Sequence, residues 1–400
     1  MTSALPDINS PSVVLAVATP EEHRQAWRAT HPSWGPGLTL EQYFAREEDL
    51  LTTALARDGG LTPWVLTTTD SAADGGARPL LSGCETLRKR AVVAGPDGTV
   101  TDVTAHGVAS VFTEPPCRSR GYAGRMMALL GEELARQERA APGAAAFSVL
   151  FSDIGPEFYA KHQWMPMGNV HLELPVTTTA AAAPSGTAPP RAAITELRDG
   201  DLPALAARDE ALLRAQLAKP LPDGVDSPKI RAAILPDLDT LRWQYRREDH
   251  MLRHFLGREP SVRGALYTPP PGGEDGGERR VWGLWTRSRY GGADGHPVVT
   301  VLHFLRLVVE DEAATSDEEL AAALDGITAV ARREAADADC RSIELWNPSA
   351  RVLAVFRERL PQLQGKIVER DTSNLASLRW FGAGSVETVE WVANEKFEWC

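Results

Sequence analysis

Apolar residues in the first half of the chain fall into short continuous or alternating runs, and between them recur at intervals of three and four. That alternation of periods is the mark of strands interleaved with amphipathic helices. Residues 12–18 form a β-rich run. Thr19, Pro20 and Glu22 then supply an N-cap, a proline at the first helical position and a capping-box acid, so a helix begins there. Thr39 and Gln42 repeat the spacing and predict a second helix reaching about Ala56, with Tyr43, Phe44, Leu50, Leu51 and Leu55 on its apolar side. Strands follow at residues 64–69, 80–87 and 103–113. Met126, Met127, Leu130 and Leu134 recur at helical spacing between Gly121 and Arg139, and Pro142 and Gly143 close that helix. A buried-type strand at 147–151, a short helix at 155–162 and a strand at 171–176 complete an α/β (α+β) arrangement around a mixed sheet.

Residues 176–191 (VTTTAAAAPSGTAPPR) have no amphipathic period and no charge before the final Arg191, and read as an extended linker. The expected organisation is a first domain over 1–175, a linker over 176–192 and a second domain over 193–400. Residues 70–76 and 269–277 read as exposed loops within the domains. The second half opens strand-then-helix at 195–203 (TELRDGDLP). It predicts strands at 281–288, 298–309 and 342–346, with a helix between the last two. That helix has a capping box at Ser316 and Glu319 and an apolar stripe of Leu320, Leu324, Ile327 and Val330.

Length agrees with two domains, since 400 residues exceed the size at which one core keeps growing. A formal charge of −12 opposes nucleic acid and anionic membrane as partners, and suits a small cationic substrate. Cys84, Cys117, Cys340 and Cys400 are far apart and lack paired metal-site spacing, so reduced thiols and no metal are expected. No secretory pattern and no run of about 18 apolar residues occurs, which predicts a cytoplasmic protein. The sequence carries no signal for oligomeric state.

The candidate chemistry begins at residues 109–127 (ASVFTEPPCRSRGYAGRMM), where a strand ends in a proline turn and passes through a basic, glycine-containing loop into a helix. A helix start presents unpaired N–H groups and positive dipole, which suit an anionic pyrophosphate. Gly121 permits close backbone approach, Ala123 keeps the helix start free of bulk, and Arg118 and Arg120 can add charge-assisted contacts. The hexapeptide RSRGYA (118–123) fits the Q/R-x-x-G-x-G/A pattern of the GNAT superfamily of N-acetyltransferases. A second segment, SDIGPEFYAKHQW (152–164), resembles that superfamily's N-x-x-A-x-x-F-Y-x-x-x-G-F, with Ser152 in place of Asn, Gly155 of Ala and Gln163 of Gly. More narrowly, TLEQY (39–43), CETLRKR (84–90), RGYAGRMM (120–127) and SDIGPEFY (152–159) resemble the fungal lysine N6-acetyltransferase family, and the likeness extends over nearly the whole chain.

The resemblance implies acetyl-CoA as co-substrate, with the backbone of Ser119, Arg120, Gly121, Tyr122, Ala123 and Gly124 cradling its pyrophosphate. Ser152 would hydrogen-bond the pantetheine arm, and a backbone N–H of Val111, Phe112 or Thr113, on a splayed strand, would meet the thioester oxygen. It implies Tyr159 as the acid that protonates the departing thiolate, and free L-lysine as acceptor. The second half repeats the order of elements, which suggests a degenerate GNAT-like domain. Its loop at 310–319 (EDEAATSDEE) is acidic and glycine-free, so it would repel a pyrophosphate. That domain is therefore expected to be a non-catalytic wall or lid.

An ammonium with a reference pKa of about 10.4 must lose a proton before it attacks, so a carboxylate or imidazole is needed beside it. Glu85 and His106 are the candidates; their plainer readings are a surface carboxylate and a strand-end imidazole. Direct transfer is preferred to an acyl-cysteine at Cys84 or Cys117, which would need an activated thiolate. The tail at 394–400 (NEKFEWC) is too apolar for a solvated end and is expected to dock, either completing the second domain's sheet or bringing Trp399 and the carboxylate of Cys400 toward the acceptor amine. Another small amine or a polyamine as acceptor, or a catalytically dead CoA-binding scaffold, are the competing readings.

Overall fold

The computed structural model describes residues 5–69, 78–176, 193–221, 230–269, 279–291 and 297–400. The loop at 70–76, nearly all of that at 269–277, and the linker from 177 onward lie outside them. Strand β1 (Val13–Val17) leads into helices α1 (Pro20–Trp34) and α2 (Leu40–Leu51). Both helices start at reciprocal capping boxes, Thr19 with Glu22 and Thr39 with Gln42. Helix α2 stops at Leu51, short of Ala56, because the hydroxyls of Thr52 and Thr53 bond back to the carbonyls of Asp49 and Leu50. Leu55 is still buried, from the turns that follow.

Next come β2 (Leu61–Thr68), β3 (Ser82–Ala94), β4 (Val100–Phe112), helix α3 (Tyr122–Ala140), β5 (Phe147–Ser152), the short α4 (Glu157–Ala160), β6 (Met165–Pro166) and β7 (Val170–Pro175). The second half runs β8 (Ile194–Leu197), α5 (Leu202–Leu217), β9 (Ile230–Ile234), α6 (Leu238–Leu256), β10 (Gly264–Tyr267), β11 (Val281–Tyr290), β12 (Val299–Val309) and α7 (Asp317–Asp337). It ends with β13 (Ser342–Trp346), α8 (Ala350–Arg359), β14 (Lys366–Glu369), β15 (Leu375–Trp380) and β16 (Val389–Trp391).

These strands form two mixed sheets. The first has nine strands in the order β1-β2-β3-β4-β5-β15-β6, with β9 beside β3 and β16 beside β9. The second has seven, β14-β7-β13-β12-β11-β10-β8. In each, one central pair is parallel: β4 with β5, and β12 with β13. The flank of that pair is then exchanged between halves. Strand β15, from late in the chain, lies antiparallel on β5, while β7, from the first half, lies antiparallel on β13. Each sheet is thus closed by a strand from the other half of the sequence.

Helix α3 covers the first sheet through Met126, Met127, Leu130 and Leu134, packed with Val108 and Leu150. Helix α7 covers the second through Leu320, Leu324 and Ile327, packed with Trp285 and Phe304. A third core belongs to neither half alone: Ala105, Phe147, Val149 and Leu378 of the first sheet meet Trp282, Leu284 and Leu305 of the second, with Phe397 of the tail. Each large apolar side chain so buried contributes about 1.5–3 kcal/mol.

Candidate active site

Strands β4 and β5 stay paired from Ala105 opposite Phe147 to Gly107 opposite Val149, and part beyond that point. There β4 also slips against β3, pairing Glu85 with Ala109 but Gly83 with Phe112. The extra residue of this bulge is accommodated by Ser110, which takes a left-handed backbone at φ 54°. The bulge brings the Ser110 hydroxyl to Glu85 Oε2 at 2.6 Å. Val111, Phe112 and Thr113 follow on the parted stretch. Ser82 pins it, donating to the Phe112 carbonyl at 3.0 Å and lying 2.8 Å from Thr113 Oγ1.

A short turn at Pro115–Cys117 carries the chain to the basic loop. Arg118 donates from Nε to the Thr113 carbonyl at 2.9 Å, and its guanidinium sits 5.3 Å from the Phe112 ring centre, tying the loop to the parted strand. Ser119 and Gly121 are both left-handed, at φ 60° and 81°. Gly121 caps α3 with no side-chain acceptor, so the first N–H groups of the helix, from Tyr122, Ala123 and Gly124, meet no side-chain cap. A Cβ at Gly121 would also fall 2.6 Å from Ile8 Cδ1. Arg120 is exposed on the same loop, whereas the Tyr122 ring turns inward and its hydroxyl donates to the Pro6 carbonyl at 2.6 Å.

On the other side of β3 and β4, α1 roofs a narrow cleft lined by Trp27, Thr30, Trp64, Gly83, Ser110 and Phe112 among others, with Glu85 in its wall. Glu85 Oε1 is 2.7 Å from His23 Nε2 and 3.3 Å from Trp27 Nε1. Burial pushes the Glu85 carboxyl up, but the hydrogen bond and charge of His23, with Ser110 and Trp27, outweigh it and hold the group below its ordinary value. The cleft wall therefore carries an ionised carboxylate. His23, Trp27 and Ser110 were not singled out from the sequence. The signal was there for two of them: His23, Trp27 and Thr30 recur at i, i+4 and i+7 on α1.

His106 is not brought to this cleft. Its register with Arg88, one residue out of phase with Glu85 and Ala109, puts it on the α3 face of the sheet. There it lines a separate hollow with Leu134 and Gln137, and Nε2 lies 3.3 Å from the Ala144 carbonyl. Burial lowers its pKa. Tyr159 is 7% exposed, packed with Cys84, Met126 and Leu150 beneath the α3 start. Burial, with the Cys84 thiol and the Asp153 carboxylate nearby, pushes its phenol above the ordinary value and keeps it protonated. Ser152 spends its proton on the Gly155 carbonyl at 2.7 Å and accepts from Ile154 N at 3.2 Å, so only acceptor capacity remains for a ligand. Gln163 makes the turn where a glycine is usual by adopting φ 70°, which seats Trp164 with its Nε1 donating to Ser148 Oγ at 2.6 Å. Burial raises the thiol pKa of both Cys84 and Cys117, which disfavours either as a nucleophile.

The tail docks on the cleft side of the same strands. Lys89 Nζ donates to the Glu398 carbonyl at 2.6 Å, Gln244 Nε2 to that of Trp399 at 2.5 Å, and Cys400 Sγ lies 3.7 Å from the Val108 carbonyl. Gly107 makes room for this: a Cβ there would stand 2.8 Å from Cys400 Sγ. Elsewhere, His171, Glu173 and Glu344 bring ligand atoms within 4.8 Å of one another, a grouping that could hold a metal ion. No helix among the described residues is long and apolar enough to cross a membrane.

A family model described as LYC1 GNAT-like C-terminal domain matches residues 171–400. A lysine acetyltransferase of Yarrowia lipolytica is 32% identical over 111 residues, which make up 28% of this chain and 26% of that relative, about a quarter of its length. Among solved structures, N-myristoyltransferase of Saccharomyces cerevisiae with bound myristoyl-CoA superposes with a TM-score of 0.52 at 8% identity, over 95% of this chain and 81% of that one. A conserved protein of unknown function from Enterococcus faecalis V583, a probable N-acyltransferase, gives 0.50 at 12% identity, over 92% and 72%. At such identities these two are likenesses of fold.

Proposed function

The chain belongs to the family defined by the LYC1 GNAT-like C-terminal domain, and on that premise we propose that it transfers an acetyl group directly from acetyl-CoA to the side-chain amine of a small acceptor, free L-lysine first among them. The observation that carries this reading is a convergence at one point of the first sheet. An uncapped basic helix start, a parted strand pair and a cleft walled by an ionised carboxylate meet around residues 110–124. The name of the Yarrowia relative supports lysine as the acceptor to test first.

In this reading the pyrophosphate sits on the N–H groups of residues 119–124 with Arg118 and Arg120 beside it, as helix starts favour anions. The acceptor enters the cleft as an ammonium, drawn to Glu85, and its proton passes to the Glu85–His23 pair. The free amine attacks the thioester carbon; the new C–N bond forms, and negative charge gathers on the carbonyl oxygen, near the backbone of residues 111–113. Collapse breaks the C–S bond, the thiolate takes a proton from Tyr159, and the nitrogen gives up its second proton to solvent, from which Tyr159 is reprotonated. Localisation in the cytoplasm, the domain limits at 175 and 193, and a wall-like second domain belong to the same proposal.

The test is thiol release from acetyl-CoA with a panel of amino acids, polyamines and histone peptides. Turnover with free L-lysine above the other amines supports the reading. Acetyl-CoA binding with no turnover on any amine would replace it with a CoA-binding scaffold.

A further inference from the structure

The face of the first sheet that α3 covers carries a patch of polar side chains in register. Thr62 of β2 stands opposite Thr86 of β3, and Arg88 of β3 opposite His106 of β4, so alternation along the strands brings Trp64 and Thr104 to the same side. With Leu134 and Gln137 of α3 and the turn at Gly59 and Gly60, they line a hollow of about 280 Å³, far more than a water needs. It lies across the sheet from Glu85 and shares only Trp64 with the cleft there. Along α3, Leu134 and Gln137 are roughly 20 Å from Tyr122, at about 1.5 Å per residue, so the hollow is also remote from the basic helix start.

Its polar groups are unspent. Trp64 Nε1 donates to Thr86 Oγ1 at 2.9 Å, which fixes the indole as a wall and leaves the Thr86 hydroxyl its own proton. The hydroxyls of Thr62 and Thr104 make no hydrogen bond to any described residue. His106 is 8% exposed, and with Nε2 donating to the Ala144 carbonyl at 3.3 Å its Nδ1 is an acceptor for which no described residue supplies a donor. The exposed Arg88 guanidinium has no hydrogen bond or ion pair to any described residue, and none of the lining residues is acidic. In a chain of net charge −12, this hollow holds a cation clear of carboxylates.

We propose that the hollow binds a small hydroxylated anion, a sugar phosphate or a sugar acid, with its oxyanion on Arg88 and its hydroxyls on the threonine face. A guanidinium without a partner takes a phosphate or carboxylate through paired N–H donors. The three threonine hydroxyls match ligand hydroxyls in either sense, and the imidazole acceptor lacks only a donor such as an O–H. The Trp64 indole, half-buried, is an apolar wall for the C–H face of a sugar. The site stands on its own residues and does not rest on the transfer reading.

The experiment is calorimetry on the full chain with glucose 6-phosphate, gluconate, glucose and inorganic phosphate, each with and without saturating CoA, for the wild-type protein, Arg88→Gln and Arg88→Lys. Melting temperature and acetyl-CoA affinity are followed alongside. One of the two sugar anions should saturate one site per chain, at least about tenfold tighter than glucose or inorganic phosphate, and CoA should leave that binding unchanged. The tighter of the two identifies the oxyanion as phosphate or carboxylate. Arg88→Gln should weaken it about 10- to 100-fold and Arg88→Lys less, with acetyl-CoA affinity unaltered. If Arg88→Gln does not fold, the smaller loss in Arg88→Lys decides. No binding of either sugar anion, glucose binding as tightly, or indifference to both Arg88 variants overturns the proposal. Binding abolished by CoA overturns it as well, by assigning the anion to the helix start at residues 119–124.

Discussion

In the first sheet β4 leaves β5 after Gly107, and in the second β12 leaves β13 after Phe304. The first parting opens on a loop with two left-handed residues and a helix whose N-terminus has no side-chain cap. At the second, the Leu307 N–H donates to Glu395 Oε2 at 3.1 Å, and that carboxylate is locked to Arg306. The helix beyond it, α7, is capped by Ser316, and acidic residues before it and at its start are engaged: Glu310 by Arg208 and Arg280, Glu312 and Asp317 by Arg351. One architecture thus leaves its donors free in one half and spends them internally in the other. The difference lies in the loop chemistry and in what fills the gap, not in the order of elements.

The comparison breaks most visibly at Tyr159, which the second parting does not need. Tyr159→Phe should lower kcat by about 10²- to 10⁴-fold with acetyl-CoA affinity unchanged, measured by thiol release and calorimetry. Next in size is Glu395→Ala, which unplugs the second gap and strands Arg306 and the Leu307 N–H. It should cost about 3–5 kcal/mol in denaturant unfolding, yet calorimetry should still find one acetyl-CoA per chain, because the acidic loop repels phosphate. A second binding event would show that the plug, not the loop, silences that half.

A matched pair at the two helix starts should give smaller effects of different kinds. Gly121→Val should weaken acetyl-CoA binding about tenfold or more, since a branched side chain fits neither φ 81° nor the close approach of a phosphate. Ser316→Ala should leave that affinity alone and cost about 1 kcal/mol of stability for the lost cap. The mildest effect is one of pH. Glu85 is held below its ordinary carboxyl value, so its stabilising contribution is present above that value and is lost as pH falls through the depressed one. The stability gap between wild type and Glu85→Gln should therefore shrink on acidification, followed by denaturant titration at stepped pH.

Capping boxes and apolar stripes made α1, α2, α3 and α7 readable from sequence, since these signals are local. The strands β11, β12 and β13 were readable for the same reason. What was not readable is non-local: β15 and β7 have ordinary strand compositions, and nothing in them says that each closes the other half's sheet. At the site, Glu85 was legible as a carboxylate on a strand, but its partners His23 and Ser110 become meaningful only through the bulge and the packing of α1. His106 has the right chemistry for a base, and a one-residue phase in strand register places it on the opposite face.

The exchanged strands also set an order in time. During synthesis the first half can make β5 and dock α3 on it, but the edge of β5 waits for Leu375–Trp380, and Lys89 waits for the Glu398 carbonyl 309 residues later. An unpaired edge held open that long is a template for the wrong strand, including the same strand from another nascent chain. Maturation should accordingly be slow and strongly dependent on the arrival of residues 375–400, and chains halted before residue 375 should be a chaperone's clients, not half an enzyme.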